Sequence, residues 1–346
     1  MLHDLAIAPV DLDLGARVQR EIDNKTKPPG SLGHIETLAR RIALAQNTEH
    51  PAADPAHLII FAGDHGMVAE GVSAWPSDVT AQMVLNFLAG GAAANAFADA
   101  GQVRLWVADA GVSGALEDHP NLHRAGIRPG TRNAAIEDAL TPDEVTRALR
   151  FGADLALRAV DEGARILAFG EMGIGNTGSA ALLAHAVDGL DLPALTGPGA
   201  GLDDAGVQRK REILCRASER HQRPLTPERA MAAFGGLEIT AITGAMIGAA
   251  SRNCLVVVDG FIATAAALMA VRARPEIEPY LVFAHQSHEP GHRLMLEALG
   301  VQPILRLNMR LGEGTGALLA IPLLRAACAM VNRMATFESA GVSGKD

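Results

Sequence analysis

Apolar residues along this chain fall into short continuous runs, separated by longer stretches whose apolar spacing is helical. The runs are HLIIFA (57–62), VRLWVA (103–108), RILAF (165–169), CLVVV (254–258), YLVFA (280–284) and PILRL (303–307). Each is apolar on both faces and far from the next, which predicts about six strands of a mainly parallel sheet covered by helices. Thr141-Pro142-Asp143-Glu144 and Thr226-Pro227-Glu228 each read as a helix start, with a capping hydroxyl, a proline at the first helical position and an early acid. Near the N-terminus, NKTKPPGSLGHIETLARRIALAQN predicts a rigid Pro28-Pro29 turn and an amphipathic helix capped by Ser31. Residues 314–338 read as helix again. The pattern therefore predicts a large α/β domain over 51–313 and a small helical lobe built from 1–50 and 314–346.

The residues after the runs carry most of the chemistry. They are Gly63-Asp64-His65-Gly66, Asp109-Ala110-Gly111, Gly170-Glu171-Met172-Gly173, Asp259-Gly260, His285-Gln286-Ser287-His288 and Gly312-Glu313-Gly314. In an open parallel sheet the ligand sits outside the carboxyl ends of the strands. Turn-forming needs explain the glycines, but not the repeated Asp, Glu and His, so one site assembled from distant segments is expected.

Composition narrows the function classes. With 49% hydrophobic and 20% charged residues, a 346-residue chain can bury a large core. A net charge of -9 argues against nucleic acid as the main partner, because a phosphate-tracking surface needs a basic excess. Cys215, Cys254 and Cys328 have no paired spacing and read as buried thiols in a reducing cytoplasm. The N-terminus, MLHDLAIAPVDLDLG, lacks the basic start and apolar core of a signal peptide, and Asp259, Glu238 or Arg325 interrupts the apolar stretches. A cytoplasmic protein without membrane contact is expected.

Two glycine loops suit an anion. FGEMGIGNTGSAALLAHAV brings backbone N–H groups and a helix start together, and LTGPGAGLDDAGVQRKRE follows its glycines with Arg209-Lys210-Arg211. Together they suit one phosphate monoester, although either alone reads equally well as a tight turn. Gly173-Ile174-Gly175-Asn176-Thr177-Gly178 spells a dinucleotide fingerprint, but it follows the third predicted strand. The nearby acids Asp188 and Asp191 lie in a proline-bearing loop, not at the end of a strand. His288-Glu289-Pro290-Gly291-His292 spells a zinc-protease motif, but Pro290 keeps Glu289 from helical geometry and no metal is expected. His285, His288 and His292 then either shape a loop or, with Ser287, touch a substrate.

Several segments resemble one family. TKPPGSLGHIETLA, FAGDHGMVAEGVSAWPSDVTAQMVLNFLAGGAA, PGTRN, FGEMGIGNT, GLDD, FGGLEI, VVDGFI, AHQSHEPGH and RLGEGTGALLA occur in this order. They are similar to nicotinate-nucleotide–dimethylbenzimidazole phosphoribosyltransferase from about Lys27 to Ala327. The resemblance implies a Rossmann-like three-layer fold, a homodimer, no cofactor and no metal. It implies transfer of the phosphoribosyl group of nicotinate mononucleotide to a benzimidazole-type base, with anomeric inversion. It also implies Glu313 as general base, with Glu171 and Met172 beside the acceptor and Gln82 in the base pocket. Gly173, Gly175, Asn176, Lys210 and Ser287 match the phosphoribosyl contacts. The chain departs from the pattern at Thr177-Gly178, where Thr-Thr is expected, and at Gly197-Pro198-Gly199-Ala200-Gly201, where GRGTG is expected.

The chemistry agrees with what the chain lacks. Phosphoribosyl pyrophosphate transferases need magnesium, an acidic pair and a hydroxyl-rich loop, and this chain has no such loop. A pyridinium leaving group is already activated, so one carboxylate that accepts the acceptor's proton suffices. Gly312, Gly314 and Gly316 around Glu313 are expected to leave room for a planar base. A nucleotide or base sensor on the same fold and, less favoured, an NAD-dependent oxidoreductase remain as alternatives.

Overall fold

The computed structural model describes residues 1–343, so the last three residues of the 314–346 segment lie outside the described part. Six strands form one sheet: β1 (Ala56–Gly63), β2 (Arg104–Gly111), β3 (Leu122–Arg124), β4 (Ile166–Met172), β5 (Leu255–Val258) and β6 (Leu281–Phe283). All are parallel, in the order β3-β2-β1-β4-β5-β6. This is the dinucleotide-fold strand order, whose topological switch falls between β1 and β4. All eight residues of β1 are buried, so helices cover both faces of the sheet, as the continuous apolar runs required.

Five of the six expected runs are strands, and PILRL is the exception. It runs beside the end of β6, with the Ile304 and Leu305 amides donating to Phe283 and Ala284 and the Gln286 amide to Leu305, but forms only an isolated bridge, His285 to Leu305. Pro303 offers no N–H, and Asn308 turns the chain away at φ 55°. The remaining strand is β3, three residues without an apolar run at the sheet edge, which gives no period-2 signal.

Thr141 and Thr226 cap helices Pro142–Asp161 and Pro227–Phe234 as expected, their side chains accepting from the N–H groups of Glu144 and Arg229. Ser31 does not cap. Helix His34–Ala45 begins after Gly33, and the Glu36 carboxylate organises the turn by accepting from the Gly30 and Leu32 amides while pairing with Lys27 at 2.8 Å.

Helix Leu237–Ala250 is buried along its whole length between the sheet and helix Pro142–Asp161. A Cβ on Gly152 or Gly244 would enter the opposing backbone at Ala241 or Leu149, so these glycines serve close packing within the chain. Helix Thr315–Arg333 is long and apolar enough to cross a membrane by length and composition, yet 61% of its apolar window is buried. It packs on β4, β5 and helix Ala93–Ala100, and on His34–Ala45 as well. The chain ends also meet: the Thr26 amide donates to Ala335 and the Phe337 amide to Asn24. Cys254 and Cys328 are buried, with burial pushing both thiols up to about 12, whereas Cys215 is only half-buried.

Candidate active site

The switch between β1 and β4 opens into a cavity of about 440 Å³. Glu171 and Met172 end β4 at its base, and Gly173–Thr177 lead into helix Asn176–Asp188. Asp259 to Ala263 come from the end of β5, His285, Ser287 and Glu289 from beyond β6, and Arg310–Glu313 from the loop before helix Thr315–Arg333. Val72, Trp75, Val79 and Met83 make an apolar wall.

Glu313 is 5% exposed and stands in left-handed backbone, φ 62°, between Gly312 at 84° and Gly314 at 79°. Three successive left-handed residues are strained for side chains other than glycine's. The conformation turns the carboxylate back into the site, where Oε2 accepts from the Ala94 amide at 3.3 Å. Burial raises the Glu313 pKa, the Ala94 bond lowers it, and the charge of Asp259 raises it again.

The neighbouring glycines do not clear space for a ligand. A Cβ on Gly312 would meet the Glu171 carboxylate, one on Gly314 would meet Leu58, and one on Gly316 would meet the His285 ring. From the other side, a Cβ on Gly170 would enter the Glu313 backbone. The segment is pressed against the end of β4, with the Glu313 amide donating to the Glu171 carbonyl at 3.3 Å. Here the glycines let protein pack on protein.

Glu171 is buried, which pushes its pKa up to about 8. The Asn176 amide donates to it and opposes the rise, while Asp259, Glu238 and Glu313 add to it. Glu238 pairs with His65 at 2.7 Å; burial opposes charge on that imidazole, but the carboxylate prevails and raises its pKa. Asp259 is buried, which raises its pKa, and it accepts from the Ala317 amide at 2.9 Å with His285 3.9 Å away. Four acids thus lie close together, three of them lining the cavity, and burial favours the protonated form of Glu171.

The opposite end is built from backbone and cations. Asn176, whose side chain bonds Glu171, joins the two groups, and beyond it Thr177 and the Pro198–Ala200 loop line the cavity with Arg310, whose Nη1 donates to the Gly199 carbonyl at 3.0 Å. Ser287 is held from behind: its amide donates to His292 Nδ1 at 2.7 Å. His292 sits 2.9 Å from the Thr264 hydroxyl, and burial, aided by His285, pushes its pKa down to about 3. The imidazole is therefore a neutral structural link.

Seven of the expected site residues line the cavity: Glu313, Glu171, Met172, Gly173, Gly175, Asn176 and Ser287. Two do not. Gln82 is exposed on helix Asp78–Leu88, which turns Val79 and Met83 inward in its place. Lys210 is 1% exposed behind the loops, where Nζ donates to Thr177 Oγ1 at 2.7 Å and the Gly197 carbonyl at 3.2 Å. Burial lowers its pKa to about 8, against the pull of Glu289.

Sequence reasoning singled out Asp259 only as a strand-end residue and left His285 between shaping a loop and touching a substrate, and it missed Trp75 and Arg310. Trp75 donates its indole N–H to the Ala200 carbonyl at 2.9 Å. Nothing in its local pattern separates it from any surface aromatic. The zinc-protease spelling is resolved by local geometry: Glu289 is the N-cap of helix Pro290–Leu299, so exposed His288 lies outside the helix that carries His292. Among the described residues, no group of three His, Cys, Asp or Glu side chains is arranged to hold a metal. Asp188 ends a helix and pairs with Arg272, and Asp191 caps a short helix, so neither supplies the strand-end acid of a dinucleotide site.

Comparison with known proteins agrees with this geometry. A family model described as phosphoribosyltransferase matches residues 7–342. The nicotinate-nucleotide–dimethylbenzimidazole phosphoribosyltransferase of Aromatoleum aromaticum is 48% identical over 342 residues, covering 99% of each chain. That of Ralstonia nicotianae is 50% identical, covering 97% of this chain and 96% of its own. The crystal structure of CobT from Thermus thermophilus superposes with a TM-score of 0.93 at 47% identity, covering 96% of this chain and 100% of the other. The chain belongs to the nicotinate-nucleotide–dimethylbenzimidazole phosphoribosyltransferase family.

Proposed function

We propose that the chain transfers the phosphoribosyl group of nicotinate mononucleotide to 5,6-dimethylbenzimidazole or a related base in cobalamin lower-ligand synthesis. The products are α-ribazole 5′-phosphate and nicotinate. Family membership supports the reaction, and one observation supports its mechanism: Glu313, a buried carboxylate whose pKa is raised, is turned into the cavity by a strained backbone. The bond between the anomeric carbon and the pyridinium nitrogen breaks, and its electron pair returns to the ring as neutral-ring nicotinate. The imine nitrogen of the base attacks the opposite face of that carbon, which inverts it. The proton on the other ring nitrogen passes to Glu313, which needs to lie roughly 2.6–3.2 Å from it. Burial, which pushes the Glu171 pKa up to about 8, favours its neutral form and so lessens its repulsion of Glu313.

In this reading the apolar wall with Met172 holds the base. Gly173, Gly175, Asn176 and Ser287 hold the phosphoribosyl group, and Arg310 supplies the cation facing its phosphate. Lys210 acts from behind, fixing the Thr177 and Gly197 loops, and Gln82 reaches the base only if its helix face turns inward. An assay for α-ribazole phosphate, run with nicotinate mononucleotide against benzimidazoles, purines and phenols, tests the assignment. Absence of any phosphoribosyl product would overturn it and favour a binding protein.

We further propose a cytoplasmic homodimer in which residues 1–50 and 314–346 act as one lobe. The dimer face is not the Gly/Ala-rich helix Leu237–Ala250, whose surface is used up inside the chain. Light scattering that returns a monomer at micromolar concentration would reject the dimer.

A further inference from the structure

His65 and Glu238 form an ion pair sealed from solvent, directly behind the cavity wall. Their side chains are 2% and 0% exposed, and His65 Nε2 lies 2.7 Å from Glu238 Oε1. Three glycines close around the pair. A Cβ on Gly63 would touch the Glu238 carboxylate, one on Gly236 would run into both side chains, and one on Gly173 would come within 3.2 Å of Glu238 Oε1. Gly173 itself lines the cavity. The same point at Gly173 is 3.4 Å from Asn176 Nδ2, the group that donates to Glu171. The pair thus brings its carboxylate, rather than its imidazole, next to Asn176. Stability does not account for this arrangement. A buried pair loses in desolvation about what it gains in attraction, and Glu238 Oε2 has no donor at all.

Glu171 is faced by charge from several elements. Asn176 reaches it from the following turn, Glu313 from the loop before helix Thr315–Arg333, and Asp259 from β5, with His285 3.9 Å from the Asp259 carboxylate. Glu238 acts from the first turn of helix Leu237–Ala250, and behind it stand His65 and Asp64 at the end of β1. Asp64 is occupied by the Ser113 amide at 2.7 Å. Among the described residues, Glu238 alone of the four clustered acids has a cation within hydrogen-bond reach, and a helix N-terminus also favours its anion. Glu171 has the Asn176 amide and no cation. Neighbouring acids do not all ionise at low cost, so the charge falls to Glu238 and the proton to Glu171.

We propose that His65 and Glu238 are positioning residues for the transfer: their pair keeps the proton on Glu171 and so fixes the alkaline limit of the reaction. This rests on the reading that the cavity performs phosphoribosyl transfer. His65 holds the Glu238 carboxylate as an anion, and that anion opposes a second charge on Glu171. Glu171 without a charge leaves Glu313 free to accept the proton of the base.

The test is the pH dependence of kcat with nicotinate mononucleotide and 5,6-dimethylbenzimidazole, each profile normalised to its own maximum. In the wild type the alkaline limb should lie near 8, where burial places the Glu171 carboxyl. Glu238→Gln keeps the shape and removes the charge, and the limb should move down by about one pH unit. In a Glu171→Gln background the same substitution should move nothing, because the titrating group is gone. If Glu238→Gln does not fold, His65→Gln/Glu238→Gln, which replaces the ion pair by a neutral hydrogen bond, carries the test with the same expected shift. A limb that stays in place in the folded variant, with or without a loss of rate at every pH, overturns the proposal and leaves the pair a packing role. So does a wild type with no alkaline limb, or a limb that still moves in the Glu171→Gln background. A wild type that forms no phosphoribosyl product from nicotinate mononucleotide would instead overturn the activity on which the proposal rests.

Discussion

The two ends of the cavity solve opposite electrostatic problems. At one end Glu171, Glu238, Asp259 and Glu313 crowd together, and the repulsion is relieved by protonation, by the His65 pair and by backbone donors to Asp259 and Glu313. At the other, Thr177, the Pro198–Ala200 loop and Arg310 line the site while Lys210 is kept behind it. The acid end depends on which carboxylate holds a proton, and the anion end on where loops are fixed. Substitutions at the first should therefore act on the rate of chemistry, and at the second on donor affinity.

The largest expected effect tests the acid end directly. Glu313→Gln keeps the shape and removes the basicity, so kcat should fall about 10²–10⁴-fold, with KM values and thermal melting nearly unchanged. Wild-type turnover by the folded variant would move proton removal to Glu171 or water.

Lys210→Met should raise KM for nicotinate mononucleotide by about tenfold and leave KM for the base alone; equal effects on both would dissolve the distinction between the ends. The same variant carries a stability signature. Burial holds the Lys210 pKa at about 8, against 10.5 when unfolded. Between those values the unfolded chain binds the extra proton, so stability rises with pH across the window and the burial cost is fully present below it. Denaturant melts from pH 8 to 10.5 should be flatter for Lys210→Met than for wild type, by up to roughly 3 kcal/mol.

Gly314→Ala probes how the acid end is built. The residue sits at φ 79° and a Cβ would press on Leu58, so a loss of at least about 1–2 kcal/mol is expected in chemical denaturation. Unchanged stability would contradict the packing role given to these glycines.

The smallest effect should come from Glu171→Gln, which imitates the protonated acid. At pH 7 kcat should stay within a few-fold of wild type, while a pH–rate limb near 8 disappears. Stability changes in the same direction. The raised pKa of Glu171 makes a contribution that is complete below 4.5 and lost as pH rises through about 8, and the variant should lack that decline. A hundredfold loss at pH 7 would make Glu171 more than a neutral neighbour.

Sequence alone determined the elements with strong local signals. Runs apolar on both faces gave five of the strands, and a threonine before a proline with an acid following gave two capped helices. Ordered motifs then marked Glu171, Asn176, Ser287 and Glu313, which line one cavity because the ends of parallel strands share one edge of the sheet. Tertiary structure decided what local pattern cannot encode. β3 is an edge strand too short to carry a period, and the apolar run 303–307 fails as a strand because Pro303 and the turn at Asn308 cut its pairing with the end of β6 short. The side chain a glycine leaves room for is known only once its neighbour is placed, which is how Gly312, Gly314 and Gly316 came to face Glu171, Leu58 and His285. Whether a charged residue meets solvent or supports a loop likewise depends on depth: Lys210 sits behind the cavity wall, and Glu289, half of a misleading zinc spelling, is built into that wall with its carboxylate buried.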